Sequence, residues 1–231
     1  MKVSLISDLH ANIFALRTVL NDLNKEGVER ILVAGDIVGY YYWPREVVDI
    51  LMSDGRFQCV RGNHENILQQ VLSDEDVALH YRRKYGSGYE ACRSQLTDAQ
   101  IDWLISLPEE IRVDIGGMQF HVGHGALGSS DEYIYPDAPL DKLLSNYSDA
   151  EYTAFGHTHY PFLHTHKGRY LLNPGSVGQP RDVGGLASYI VISSENRVVR
   201  FKRKLFDTEL VIRAARQNDP ELGYLAAIMS R

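Results

Sequence analysis

Residues Ile31 to Gly39 read Ile-Leu-Val-Ala-Gly-Asp-Ile-Val-Gly, an apolar run that ends in a glycine and one carboxylate, Asp36. A buried strand of an α/β sheet ends this way when it carries a polar group to the rim of the sheet, where ligands bind. Many strands also end in Gly-Asp only to make a turn. The companions of Asp36 decide between the two: Asp8-Leu9-His10, Gly62-Asn63-His64-Glu65, His124-Gly125 and Gly156-His157-Thr158-His159. Together these segments hold oxygen and imidazole donors enough for two metal ions, with Asp36 placed to bridge them.

Upstream of this stretch, Val3 to Ser7 reads as a buried strand that delivers Asp8 and His10. Asn12 is a good N-cap for the helix that follows, and Gly27 can close it. An Asp-X-His in extended chain would project both side chains to one side, which suits chelation; the plainer alternative is a cap and a surface imidazole. Downstream, Pro44 fits the first position of a second helix. The four aromatics before it, Tyr40 to Trp43, are either a packed turn or a stacking wall for a base or an aromatic leaving group, with Tyr41 the candidate contact.

Phe57 to Val60 is a third strand, feeding Asn63, a neutral oxygen donor, and His64, whose imidazole can give a proton to a departing oxygen near neutral pH. Alternatively Asn63 caps a helix from Glu65 to Leu72 and His64 sits in its first turn. Residues 73–107 read as a helical insertion with a capping box at Thr97 and Gln100. Its basic, aromatic section contains Arg82, Arg83 and Lys84. These are either a solvated face or the source of a cation that holds substrate phosphate. With Asn63 and Tyr41, Arg82 and Arg83 are the candidate substrate contacts.

Met118 to Gly123 forms another strand, and His124 at its exit is preferred to His121 within it. Residues Ala126 to Tyr135 read as a mobile loop and Leu140 to Leu144 as a helix. Tyr152 to Phe155 then feeds His157 and His159, which at i and i+2 in extended chain would face one way. The candidate ligands are therefore Asp8, His10, Asp36, Asn63, His124, His157 and His159. His80, His121, His164 and His166 are taken as outside the site. Asn173-Pro174-Gly175-Ser176-Val177 reads as a tight turn in the site wall. A hairpin from Ser188 to Lys204 and a helical tail complete the chain, the tail packing on the sheet or on another subunit.

The composition fits a soluble enzyme. The chain of 231 residues is 44% hydrophobic and 23% charged, with mean hydropathy −0.25, and a single domain over 1–231 is expected. A formal charge of −6 argues against binding bulk nucleic acid. No run of apolar residues is long enough to cross a bilayer, and Cys59 and Cys92 read as buried, reduced thiols. The expected location is the cytoplasm.

In this order and along most of the chain, Asp8-X-His10, Gly35-Asp36, Gly62-Asn63-His64-Glu65, His124-Gly125 and Gly156-His157-X-His159 resemble the blocks of the calcineurin-like metallophosphoesterases. Ser7 to Asn12 and Asn173 to Val177 are similar to the small prokaryotic branch, phosphodiesterase-like or diadenosine-tetraphosphatase-like. The resemblance implies an α/β fold, a four-layer α/β/β/α sandwich of two mixed β-sheets flanked by helices. It also implies one metal on Asp8, His10, Asp36 and His159, a second on Asp36, Asn63, His124 and His157, and His64 as proton donor. Glu65 stands where the family usually has Asp, and Tyr40 to Trp43 fill a loop its relatives often build from Gly, Pro and Asp.

The donor set suits manganese, iron, zinc or nickel, with manganese expected by family analogy. The function these features imply is hydrolysis of small phosphodiesters, phosphomonoesters or nucleotides. A protein phosphatase, a dinucleoside polyphosphate hydrolase and a non-catalytic metal-binding scaffold are the rivals, and a homo-oligomer fits the helical tail.

Overall fold

In a computed structural model that describes residues 1–231, the first apolar run forms β1 (Lys2–Ile6) and Asn12 caps α1 (Ile13–Glu26). The Asn12 side chain accepts from the Ala15 N–H, and Gly27 closes the helix in the left-handed conformation at φ 68°. The deciding stretch supplies β2 (Arg30–Val33); Pro44 begins α2 (Pro44–Ser53), and β3 (Phe57–Cys59) leads into α3 (Asn63–Ser73). The expected insertion is helical, as α4 (Glu75–Tyr85), α5 (Gly88–Gln95) and α6 (Asp98–Ser106), the last opened by the Thr97–Gln100 capping box.

The second half gives β4 (Ile111–Ile115), β5 (Met118–Val122), α7 (Leu140–Ser145), β6 (Tyr152–Ala154), β7 (Phe162–His166) and β8 (Arg169–Asn173). A hairpin, β9 (Leu186–Ser193) with β10 (Val199–Leu205), returns to the first sheet, and α8 (Glu209–Asn218) and α9 (Tyr224–Ala227) form the tail.

Two mixed five-stranded sheets result, ordered β10-β9-β1-β2-β3 and β4-β5-β6-β8-β7. The parallel pairs are β1–β2, β2–β3, β5–β6 and β6–β8. Parallel strands of this kind are covered on both faces, and the residue pattern shows it. Val3, Leu5, Leu32, Ile190 and Ile192 face Phe120, Val122, Tyr152 and Leu172 of the other sheet, whereas Ile31, Val33, Tyr189 and Val191 face the helices. The outer layers are unequal. The first sheet carries the large core with α1, α2 and the tail, while the second is covered only by a small cluster around Ile134, Leu143, Phe155 and Phe162.

The tail packs within this chain. Val211, Ala215, Leu225 and Met229 join the large core, and the buried Asp219 accepts from Tyr42 Oη at 2.8 Å and from the Ser87 N–H at 2.9 Å. It thereby ties the aromatic loop after β2 to the insertion.

Candidate metal centre

The ends of β1, β2, β3, β5 and β6 meet at one rim of the two sheets, which brings Asp8, His10, Asp36, Asn63, His64, His124, His157 and His159 together, all buried. Three groups of donors lie close enough to share an ion: Asp8 with His10 and His159, Asp36 with His124 and His157, and His10 with Asp36 and His64. Asp36 Oδ2 stands between the first two, 3.8 Å from His10 Nε2 and 3.2 Å from His124 Nε2. Asn63 Oδ1 is 3.0 Å from the same His124 nitrogen.

Local backbone geometry, not strand periodicity, aims these groups. Asp8, His10, Asp36, His157 and His159 all have positive φ, between 46° and 65°. The extended Asp-X-His and His-X-His readings are therefore corrected: the segments are turns, and His157 and His159 point into different donor groups. Non-glycine residues adopt this conformation at a cost of about 1–3 kcal/mol each, so the surrounding structure must hold them there.

Glu65 does much of that holding. Its buried carboxylate accepts from the backbone N–H groups of Asp36 (3.1 Å), Ile37 (2.8 Å), Val38 (3.1 Å) and Gly62 (2.8 Å). It fixes the β2 turn to the start of α3, and the fit is close. A Cβ at Gly62 would lie 2.2 Å from Asp36 Oδ1, so only glycine lets the two loops approach.

The imidazoles show why a cation belongs here. Nδ1–H of His10 donates to the Val38 carbonyl at 3.2 Å, that of His124 to Ala34 at 2.7 Å, and that of His159 to Gln179 at 2.6 Å. A carbonyl can only accept, so in its neutral form each ring carries its lone pair on Nε2, the arrangement found behind metal-ligating histidines. Those lone pairs point at one another or at oxygens: His10 Nε2 is 3.1 Å from His159 Nε2. His157 Nε2 is buried with no hydrogen-bond partner, the nearest carboxylate oxygen being Asp131 Oδ1 at 3.9 Å. A proton or a cation must lie between such groups.

The charges agree. Burial pushes the Asp8 carboxyl up, but His159 and His124 outweigh it and bring it down to about 2. Burial likewise opposes ionisation of Asp36, and His124 and His64 hold it well below its ordinary value. Burial disfavours the His124 imidazolium, yet Asp36 and Asp8 raise it to about 10. His157 and His64 are each pushed down to about 4, chiefly by burial. The buried Asp8 and Asp36 carboxylates thus bring together more negative charge than the His124 imidazolium offsets, an imbalance that divalent cations correct.

The expected substrate contacts fare differently. Arg82 pairs with Glu90 and lies 3.9 Å from Asp219, beside a hollow lined by Val71, Glu75 and Ala78, and Arg83 is exposed on α4. Neither is brought to the centre, because the insertion presents its tyrosines to it. Tyr41 is fully buried, its hydroxyl donating to the Leu225 carbonyl. Its neighbour Tyr40 takes the place assigned to it, with ring centroids 4.6 Å from His10 and 4.8 Å from His64. Tyr85 lies 4.9 Å from His64, and Tyr133 stacks on His157 at 4.0 Å. Arg181 Nη2 donates to Tyr40 Oη at 3.3 Å and forms no ion pair. His121 sits instead against Glu110 at 2.8 Å.

Sequence reasoning gives no role to Glu65, Tyr85, Tyr89, Tyr133 and Arg181, whereas Tyr40 belongs to the Tyr40–Trp43 run for which a stacking wall is one of the two readings. Only Glu65 carried a usable signal, an acid at the third helical position after Gly62, where it can bond back to the N-terminal N–H groups.

The family model described as the calcineurin-like phosphoesterase superfamily domain matches residues 1–197. An uncharacterized protein of Methanocaldococcus jannaschii is 34% identical over 223 residues, covering 89% of this chain and 88% of that protein. A metallophosphoesterase from Sphaerobacter thermophilus superposes with TM-score 0.79 at 28% identity, over 99% of this chain and 98% of that one. A hypothetical protein from Pyrococcus horikoshii gives TM-score 0.84 at 20% identity over 100% and 98%, a likeness of fold. The chain belongs to the calcineurin-like phosphoesterase superfamily and is a metal-dependent phosphoric ester hydrolase.

Proposed function

We propose that the centre hydrolyses phosphodiesters or phosphomonoesters of small molecules and nucleotides. The observation that carries this is the convergence of two donor groups on one Asp36 oxygen, with the His64 imidazole beside them. Asp8, His10, Asp36 and His159 would hold one divalent ion, and Asp36, Asn63, His124 and His157 the other. Such ions, when bound, supply Lewis acidity at the phosphoryl oxygens and an activated water.

The chain's own residues do the rest. His64 makes no protein hydrogen bond at Nε2; its Nδ1 is occupied by Tyr89 Oη. It is the group placed to protonate the leaving oxygen, a step worth about 10^2 to 10^4 in rate. Tyr40, Tyr85 and Tyr133 offer ring faces around the donors, and Arg181 offers a guanidinium free of carboxylates. These suit a substrate with an aromatic part and a second anionic group, which keeps a dinucleoside polyphosphate within the reading.

No helix is long and apolar enough to cross a membrane. The two cysteines are free and buried, in keeping with a cytoplasmic setting. We take manganese as the working metal.

Bis(p-nitrophenyl) phosphate and p-nitrophenyl phosphate, each with and without manganese, test the reading. Metal-dependent cleavage of either supports it, and the preferred ester assigns the class. Cleavage of neither, by protein shown to contain metal, favours the scaffold rival.

A further inference from the structure

Tyr89 is buried on α5, and its hydroxyl lies 2.7 Å from His64 Nδ1. The rings stack at 5.8 Å with 21° between their planes. This sets His64 apart from three of the candidate histidine ligands. His10, His124 and His159 turn Nδ1 to main-chain carbonyls, which only accept. His64 meets a hydroxyl, which can donate or accept.

The insertion is built to deliver that hydroxyl. Gly39, at φ 87°, passes so close to His64 that a Cβ there would lie 2.1 Å from Nδ1. No side chain from Gly39 can therefore stand at this nitrogen. A Cβ on Gly88 would lie 2.8 Å from the Tyr40 backbone N, so α5 begins in contact with the same loop and the next residue, Tyr89, enters at a fixed depth.

We propose that Tyr89 is a positioning residue for His64: its hydroxyl anchors Nδ1 so that Nε2 and its proton face the donor cluster. The inference deepens the proposed function and rests on His64 as the acid. In its acid form His64 is the imidazolium, with a proton on each nitrogen, a form that an anionic ester beside the ring favours; when the P–O bond breaks, its electron pair goes to the leaving oxygen, which takes the Nε2 proton. The ring is left neutral with its remaining proton on Nδ1. Throughout, Tyr89 Oη accepts from Nδ1–H, so the ring does not need to turn between protonation states. The insertion thus contributes to proton transfer and is more than a cover.

Tyr89→Phe tests this, since it deletes one oxygen and keeps the ring. In metal-free full-length protein, long-range 1H–15N spectra report each imidazole nitrogen, with His64 assigned by its loss in His64→Ala. Tyr89→Phe is expected to move His64 Nδ1 and to leave the Nδ1 resonances of His10, His124 and His159 in place. With manganese, turnover of diphenyl phosphate should fall about tenfold, while bis(p-nitrophenyl) phosphate, whose leaving group departs without a proton, changes less than about twofold. An unmoved Nδ1 resonance, or equal losses on both esters, overturns the proposal. A split in His64→Ala but not in Tyr89→Phe removes Tyr89 alone; no split in either removes His64 as the acid and Tyr89 with it. If wild-type protein cleaves no ester, the functional reading fails, and the nitrogen spectrum still decides the anchor.

Discussion

The floor and the rim of the site are built by different means. The floor is held by main chain: three imidazoles donate to backbone carbonyls, and Glu65 gathers four backbone N–H groups. The rim is side chain on side chain, with Tyr40 against His10, Tyr85 against His64, Tyr133 against His157, and Arg181 reaching Tyr40. Changes to the floor should therefore abolish metal binding or chemistry, and changes to the rim should alter which ester is accepted.

The largest effect belongs to Asp36, the oxygen donor shared by both groups. Asp36→Ala should lower hydrolysis by more than about 10^3-fold, beyond the loss of a single electrostatic contact, and elemental analysis should find both metals depleted. The wild type should gain about 2.7 kcal/mol from manganese at a hundredfold excess over Kd, seen as a rise in melting temperature that Asp36→Ala lacks. A variant that keeps its full metal content would show that Asp36 is not the bridge. His64→Ala comes next, losing about 10^2 to 10^4 in turnover with metal content unchanged. Retained turnover of an ester with a poor leaving group would remove His64 from the chemistry.

The same division decides what could be read from the sequence. Every floor residue follows a strand in a short motif, because a strand end is the place where an α/β sheet presents polar groups. Periodicity located the strands, and the donor types located the ligands. It did not reveal the turns: His157 and His159 sit at φ 65° and 63°, and the extended geometry inferred from their spacing does not occur. Of the rim only Tyr40 was legible, within the aromatic run read as a packed turn or a stacking wall; Tyr85, Tyr133 and Arg181 come from separate loops and helices with no common pattern. Arg82 and Arg83 drew attention as a charge run, yet ion pairing with Glu90 and exposure to solvent account for them.

Among the floor residues Glu65 has the smallest expected effect. Glu65→Gln keeps the shape but turns one acceptor oxygen into an N–H donor, so two backbone N–H groups lose their partner. A buried donor left unpaired costs about 1–3 kcal/mol, and disturbing a group behind the ligands lowers metal affinity by about 10- to 100-fold. Urea melts and manganese titrations measure the two effects. If stability falls while affinity holds, Glu65 supports the fold and not the centre.

The smallest effect tests the rim through two arginines, of which the sequence singles out only Arg82. Arg181 has no carboxylate partner and bonds to Tyr40, whose ring lies against His10 and His64. Arg82 is already neutralised by Glu90 on the insertion. A free guanidinium can form charge-assisted bonds to a second anionic group of the substrate, each worth about 1.5–3 kcal/mol. Arg181→Ala should therefore raise KM about tenfold or more for a nucleotide ester with kcat nearly constant, and should leave a small uncharged-tail ester unaffected. Arg82→Ala should change neither constant. The reverse pattern would place the substrate over the insertion, and the rim would then lie on the other side of His64.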